Sequence, residues 1–261
     1  MYGKKKPIKC GLRIYKNKDM VHGSQFTGIG AAEIAALSLG WQNLFCGDID
    51  SWVRERLKQN FPNTIIHGDI TETCFKQYNG MVDVFSGGFP CQDISIAGFQ
   101  LGLQGKRSGL FFEKIRATDE IRPKYAVWEN VSRVRKYLPT IIRAYAQIGY
   151  CLSWYTIHAS WLGFPHQRER VFGVAFDTNR FGWAEIQHVS RNIEEAIYQA
   201  SRWQSGRATC RQIQLENYSE FLRFDDGLPI ELAQNEITAY GNAIVPYVIY
   251  LIYKCLNDFE K

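Results

Sequence analysis

Several features are missing from this chain of 261 residues, and each absence removes a class of protein. No apolar run approaches the roughly 20 residues that a membrane-spanning helix requires, so no membrane partner is expected. The basic opening, Met1 to Lys6, lacks the apolar stretch that would follow it in a secretory signal. Seven cysteines are present, at positions 10, 46, 74, 91, 151, 210 and 255. They are scattered, odd in number and never spaced Cys-x-x-Cys, so neither a disulfide framework nor a metal site is expected. That usage points to a reducing, cytoplasmic setting. Internal repeats and low-complexity segments are also missing. What remains is an ordinary globular composition, 46% apolar and 22% charged, with a net charge of +5. It suits one large domain with a modest insertion. The charge favours a polyanionic partner, but basic metabolic enzymes share it.

Strand and helix patterns alternate along most of the chain. Strands are expected at Val21–Phe26, Leu44–Ile49, Thr64–Ile66, Val82–Ser86, Tyr125–Glu129, Tyr150–His158 and Arg170–Phe176. Helices are expected at 31–38, 51–60, 110–121, 138–148 and about 247–256. The first strand, carrying His22, Ser24 and Gln25, is polar for a buried parallel strand. The alternation predicts an α/β fold: a doubly wound, mostly parallel sheet with its strand-end turns gathered on one edge. It lapses between about Asp177 and Pro229, a stretch with six arginines and no lysine. That stretch reads as a small inserted lobe, with a helix at Asn192–Trp203. The expected organisation is therefore a catalytic domain over 1–176, a target-recognition region over 177–231, and a return to the catalytic domain over 232–261.

The strand ends carry the chemistry. Phe26-Thr27-Gly28-Ile29-Gly30 lies between a strand and a helix, where free N–H groups and the helix dipole favour a ligand. The third glycine of the dinucleotide fingerprint is missing, which disfavours a nicotinamide oxidoreductase. Asp48, about twenty residues on, is placed for a ribose diol, and Asp69 for an adenine amino group. Each acid alone would suit a loop or a helix cap, but carboxylates at successive strand ends fit an adenosine-containing ligand. The next strand delivers Gly87-Gly88-Phe89-Pro90-Cys91-Gln92. Its glycines allow close backbone approach, and proline fixes φ just before a thiol. A buried structural cysteine is the alternative at that position.

With those residues the chain resembles the C5-cytosine DNA methyltransferases, whose segments it matches in order. Gly-Phe-Pro-Cys-Gln at 88–92 and Glu129-Asn130-Val131 are the most specific matches. Phe26, Gly28 and Gly30 are similar to that family's methionine-binding turn. Asp48 takes the place of a ribose-binding glutamate, Ile49 that of an aromatic residue against adenine, and Asp69-Ile70 that of an adenine-binding pair. Arg107-Ser108-Gly109-Leu110 is similar to the motif whose leucine lines the cofactor pocket. Arg168-Glu169-Arg170 matches Arg-x-Arg, and Gly241-Asn242-Ala243-Ile244-Val245-Pro246 matches the terminal Gly-Asn-x-x-x-Pro. His166 stands where a glutamine is common, and the variable region is short.

The resemblance implies transfer of a methyl group from S-adenosyl-L-methionine to C5 of a flipped-out cytosine in duplex DNA, through a Cys91–C6 adduct. It implies Cys91 as nucleophile, Glu129 as a proton donor near N3 with its pKa raised by partial burial, and Arg168 as the donor to the pyrimidine carbonyl. Cofactor contacts would come from Phe26, Gly28, Gly30, Asp48, Ile49, Asp69, Ile70, Pro90, Leu110 and Asn242. DNA contacts would come from Gln92, Ser95, Lys106, Arg107 and Arg170, with 95–109 as a closing loop. Arg170 could equally pair with an acid. The C5 proton could leave to water. A monomer, with a cognate restriction endonuclease as partner, completes the expectation. The alternatives are an RNA (transfer RNA) cytosine-5 methyltransferase on the same fold, or a catalytically silent DNA-binding relative.

Overall fold

The computed structural model describes residues 20–90, 109–162, 169–203 and 246–261. Within these, seven strands form one sheet: β1 (Val21–Ser24), β2 (Gln42–Gly47), β3 (Ile65–His67), β4 (Val84–Ser86), β5 (Tyr125–Val131), β6 (Tyr150–His158) and β7 (Glu169–Asp177). Their order is β3-β2-β1-β4-β5-β7-β6. The first five are parallel, and β7 runs antiparallel to both β5 and β6. This is the mostly parallel, doubly wound arrangement expected from the alternation. The winding reverses between β1 and β4, and such a switch point opens a crevice beyond the strand ends where α/β proteins bind ligands.

Helices cover both faces. On one lie α1 (Ala31–Ser38), α2 (Ser51–Asn60), α5 (Trp183–Trp203) and α6 (Pro246–Phe259); on the other lie α3 (Leu110–Ile121) and α4 (Leu138–Gln147). Local chemistry sets their ends. Asp50 caps α2, its Oδ1 accepting from the backbone of Trp52 at 2.8 Å and Val53 at 3.3 Å. Gly40 closes α1 with φ 81°. None of the described helices is long and apolar enough to cross a membrane.

Several element ends, including those of β1, β4, β5 and α6, lie two or three residues from expectation, and two differences matter most. Strand β2 ends at Gly47, two residues early, because Asp50 turns the chain into α2 and leaves Asp48 and Ile49 in the connecting loop. Helix α5 starts at Trp183 rather than Asn192. Its start is marked by Glu185, whose Oε2 accepts from Gly182 N at 2.8 Å. Ile186, Val189, Ile193 and Ile197 then keep helical spacing and are buried in one cluster with residues of α1, β5, β7 and α6. The expected boundary at 177 therefore does not coincide with an edge of the core. Residues 204–245 lie outside the described residues.

The polar character of β1 has a structural explanation. Buried His22 contacts Asn43 Oδ1 through Nδ1 at 2.7 Å, and Ser86 Oγ and Tyr253 OH through Nε2 at 2.8 and 3.1 Å. Because Asn43 Nδ2 donates to Glu33 O at 3.1 Å, its Oδ1 is the atom facing histidine. Nδ1 therefore donates, and Nε2 accepts from the two hydroxyls. Burial pushes His22 down to about 4, so the ring is neutral near pH 7.

Candidate active site

The turn after β1 is built on this polar floor. Ser24 Oγ lies 2.7 Å from Thr27 Oγ1 and also donates to the buried carboxyl of Glu33, which burial raises to about 7. Thr27 Oγ1 accepts from Gly47 N at 3.0 Å, and Thr27 N donates to Gly47 O at 3.0 Å, which ties the turn to the end of β2. Phe26, Gly28 and Gly30 all take positive φ, at 56°, 56° and 93°. For Phe26 that conformation is strained, of the kind that clusters at ligand-holding turns.

Asp48 sits against this turn. Its Oδ2 accepts from Gly28 N at 2.9 Å and its Oδ1 from Asp50 N at 3.0 Å. Each carboxylate oxygen keeps a lone pair for a further donor. Ile49 beside it is 69% exposed, an apolar side chain without cover among the described residues. At the end of β3, Asp69 Oδ1 accepts from both the N–H and the hydroxyl of Thr71 at 2.8 Å. That leaves Oδ2 for an outside donor, while Ile70 is buried. Leu110, opening α3, packs half-buried against the same cluster as Ile70. Carboxylates aimed by backbone donors, an uncovered apolar side chain and open space at Gly28 and Gly68 fit an adenosine group.

The second turn leaves β4 on the other side of the switch point. Gly87 adopts φ 141°, and a Cβ there would lie 1.6 Å from Gln25 O, so only glycine lets the two turns meet. A Cβ on Gly88 would lie 2.9 Å from Glu129 O and 3.3 Å from Glu129 Oε2. Phe89 is buried against Phe111 and Trp128, with ring centroids 4.9 and 5.6 Å away. Asn130 Nδ2 donates to Phe89 O at 2.7 Å. The backbone leading to residue 91 is therefore laid on the end of β5, and it emerges at exposed Pro90.

Glu129 is buried, and its Oε1 lies 2.8 Å from Arg170 Nε. Antiparallel pairing explains the meeting: β7 begins at the edge where β5 ends, with Val131 opposite Arg170. Arg170 is thus paired with an acid, the alternative to a DNA contact considered for it. Cys91, Gln92, Ser95, Lys106, Arg107, Arg168 and Asn242 lie outside the described residues.

A buried glutamate set directly against a glycine-rich turn, with Asn130 holding that turn, forms the arrangement on which family membership can be judged. Residues 22–220 match the family model described as C-5 cytosine-specific DNA methylase. The chain belongs to this family. Among its relatives, the Type II methyltransferase M.Eco47II of Escherichia coli is 35% identical over 157 residues, covering 58% of this chain and 38% of that protein. M.PspPI of Psychrobacter sp. is 32% identical over 163 residues, covering 60% and 39%. The chain thus spans about two fifths of the length of these curated relatives. Among solved structures, S. pombe Dnmt2 methyltransferase superposes with a TM-score of 0.52 at 19% identity, covering 64% of this chain and 52% of that one. Spodoptera frugiperda DNMT2, as a triple mutant, gives 0.51 at 22% identity, covering 62% and 51%. These likenesses bear out the methyltransferase fold.

Sequence reasoning assigned no role to several residues of the candidate site. Glu33 and Asn43 support the first turn, Asn130 holds the second, and Tyr253 of α6 reaches His22 beneath the first. For Asn130 the signal was the Glu-Asn-Val match, which gave it no role; for the others it was the polarity of β1, since a buried strand bearing histidine and serine must find polar partners elsewhere.

Proposed function

We propose that the chain transfers a methyl group from S-adenosyl-L-methionine to C5 of a cytosine swung out of duplex DNA. The observation that carries this reading is the junction of Gly88, Phe89, Glu129 and Asn130. It sets the backbone leading to Cys91 beside a buried carboxyl at the switch point. The Cys91 thiolate would add to C6, making C5 enamine-like and nucleophilic, while charge developing at N3 is met by a proton from Glu129. Glu129 has to gain that proton against its pairing with Arg170, so binding of the base would rearrange this ion pair. Arg168 would hold the pyrimidine carbonyl. The bound cofactor supplies an electrophilic methyl group. Departure of the C5 proton, with water adequate as base, lets the thiolate leave C6.

On the cofactor side, Phe26, Gly28 and Gly30 would receive the methionine portion, together with Asn242. Asp48 would accept from the ribose hydroxyls. Asp69, Ile70, Ile49, Pro90 and Leu110 would surround the adenine. Gln92, Ser95, Lys106 and Arg107 would meet the DNA, and residues 177–231 would contribute target recognition.

The test is covalent trapping on duplex DNA with 5-fluorocytosine at candidate targets, since fluorine cannot leave as the proton does. Incubation with the cofactor should give a complex stable to denaturation, with the DNA fragment mapped by mass spectrometry to Cys91. The Cys91→Ser variant should give none. Failure to form an adduct in any sequence context would overturn the assignment. Trapping on transfer RNA alone would move it to the RNA alternative.

A further inference from the structure

Arg116 lies on α3 and has no role in the assignments above, yet its side chain is tied to the adenine-side loop. Nη2 donates to Ile70 O at 2.7 Å, and both terminal nitrogens lie 3.3 Å from Thr73 O. Two carboxylates hold the guanidinium itself: Glu113 Oε2 at 2.6 Å from Nε and Glu120 Oε1 at 2.9 Å from Nη1. Glu120 extends the clamp, accepting from Phe75 N at 2.8 Å through Oε2. The loop between β3 and the turn at Lys76–Tyr78 is therefore bound to one helix at Ile70, Thr73 and Phe75.

A lysine has three donors on one atom and cannot span these acceptors as a planar fork does. Ile70 and Phe75 are buried in the core on either side of the loop, whereas Thr71 and Glu72 between them face solvent. Asp69 and Thr71 orient each other only as far as the backbone that carries them stays in place. Hence we propose that Arg116 is a positioning residue for adenine recognition. By fixing the Ile70 and Thr73 carbonyls, it sets where the Asp69 carboxylate meets the cofactor's amino group. This rests on the reading of Asp69–Ile70 as the adenine contact.

The experiment compares calorimetric binding of S-adenosylhomocysteine with that of S-inosylhomocysteine, in which a carbonyl oxygen replaces the 6-amino group. The full chain is measured as wild type, Arg116→Lys and Arg116→Met. Wild type should prefer the adenosyl ligand by about tenfold or more, the usual value of one hydrogen bond to a carboxylate. In both variants the adenosyl ligand should weaken by about tenfold while the inosyl ligand changes little, so the preference collapses toward one. DNA affinity, and kcat at saturating cofactor, should stay within about twofold, because interactions equal in the ground and transition states alter KM alone.

A merely structural role would weaken both ligands equally, or lower kcat and DNA binding in parallel. Either result overturns the proposal. If Arg116→Met does not fold, the Arg116→Lys preference decides the question. A wild type that binds neither ligand would instead sink the cofactor reading itself, which separates the two failures.

Discussion

The two turns that flank the switch point are held in different ways. The first, residues 25–30, stands on side chains: Ser24, Thr27, Glu33, Asn43 and His22 form a buried polar chain that continues to Tyr253 on α6. The second, residues 87–90, stands on backbone. Glycines permit the approach, Gly87 N donates to Val127 O at 3.1 Å, and, among the described residues, Asn130 supplies the side-chain hydrogen bond that holds it. A turn built on titratable side chains responds to pH and tolerates isosteric exchange. A turn built on backbone contact tolerates almost no added atom. The backbone that ends at Pro90 is therefore set by the turn that tolerates the least change.

The largest break in this comparison should come from Gly87→Ala. Its Cβ would fall 1.6 Å from Gln25 O at a backbone angle of 141°, so both turns must move together. Such a double violation should cost more than about 4 kcal/mol, read as a collapse of the urea midpoint. An alanine variant of wild-type stability would show that the turns do not depend on each other.

Next in size are two pH limbs from the first turn, of opposite sign. Glu33, raised by burial, contributes stability that is complete below about 4.5 and lost as pH rises through about 7. His22, lowered by burial, contributes stability that is complete above 6.5 and lost as pH falls through about 4. Each shift corresponds to about 3 kcal/mol at its far limit. Because the windows overlap, the pair largely cancels in the wild type. Glu33→Gln should make stability rise more steeply with pH between about 4 and 6.5. His22→Gln should make it fall more steeply between about 4.5 and 7. Denaturant titrations at several pH values would show this, and parallel profiles for all three proteins would contradict it.

The smallest stability effect should separate the turns functionally. Asn130→Ala leaves the buried Phe89 carbonyl without its donor, at a cost of about 1–3 kcal/mol. Methyl transfer should drop by about a hundredfold, because the nucleophile is no longer held in register. Cofactor binding should be unchanged, the reverse of the pattern expected for Arg116 variants. Equal losses in both measurements would mean that Asn130 supports the whole edge rather than one turn.

How far the site was legible depended on the range of the interaction behind each residue. The ends of α2 and α3 were readable to the residue, because Asp50 and the glycine before Leu110 act on their own neighbours. Asp48 and Asp69 were legible as strand-end acids. The start of α5 was missed because Glu185 marks it from inside the helix, while the preceding stretch looks polar and aperiodic. His22 drew notice as out of place, yet its partners, Asn43, Ser86 and Tyr253, are 21, 64 and 231 residues away. Arg116 gave no signal, since its loop partners are mostly backbone carbonyls, which every residue possesses.

By itself the chain determined the sequence of elements, the chemical type presented at each strand end and the motif order. These follow from periodicity, capping and residue chemistry, which act over a few positions. Only tertiary structure decided that α5 joins the core, that β7 runs backward to lay Arg170 on Glu129, and that one arginine holds a loop more than forty residues away. Those outcomes depend on which surfaces meet when the sheet closes, and no local spacing records that choice.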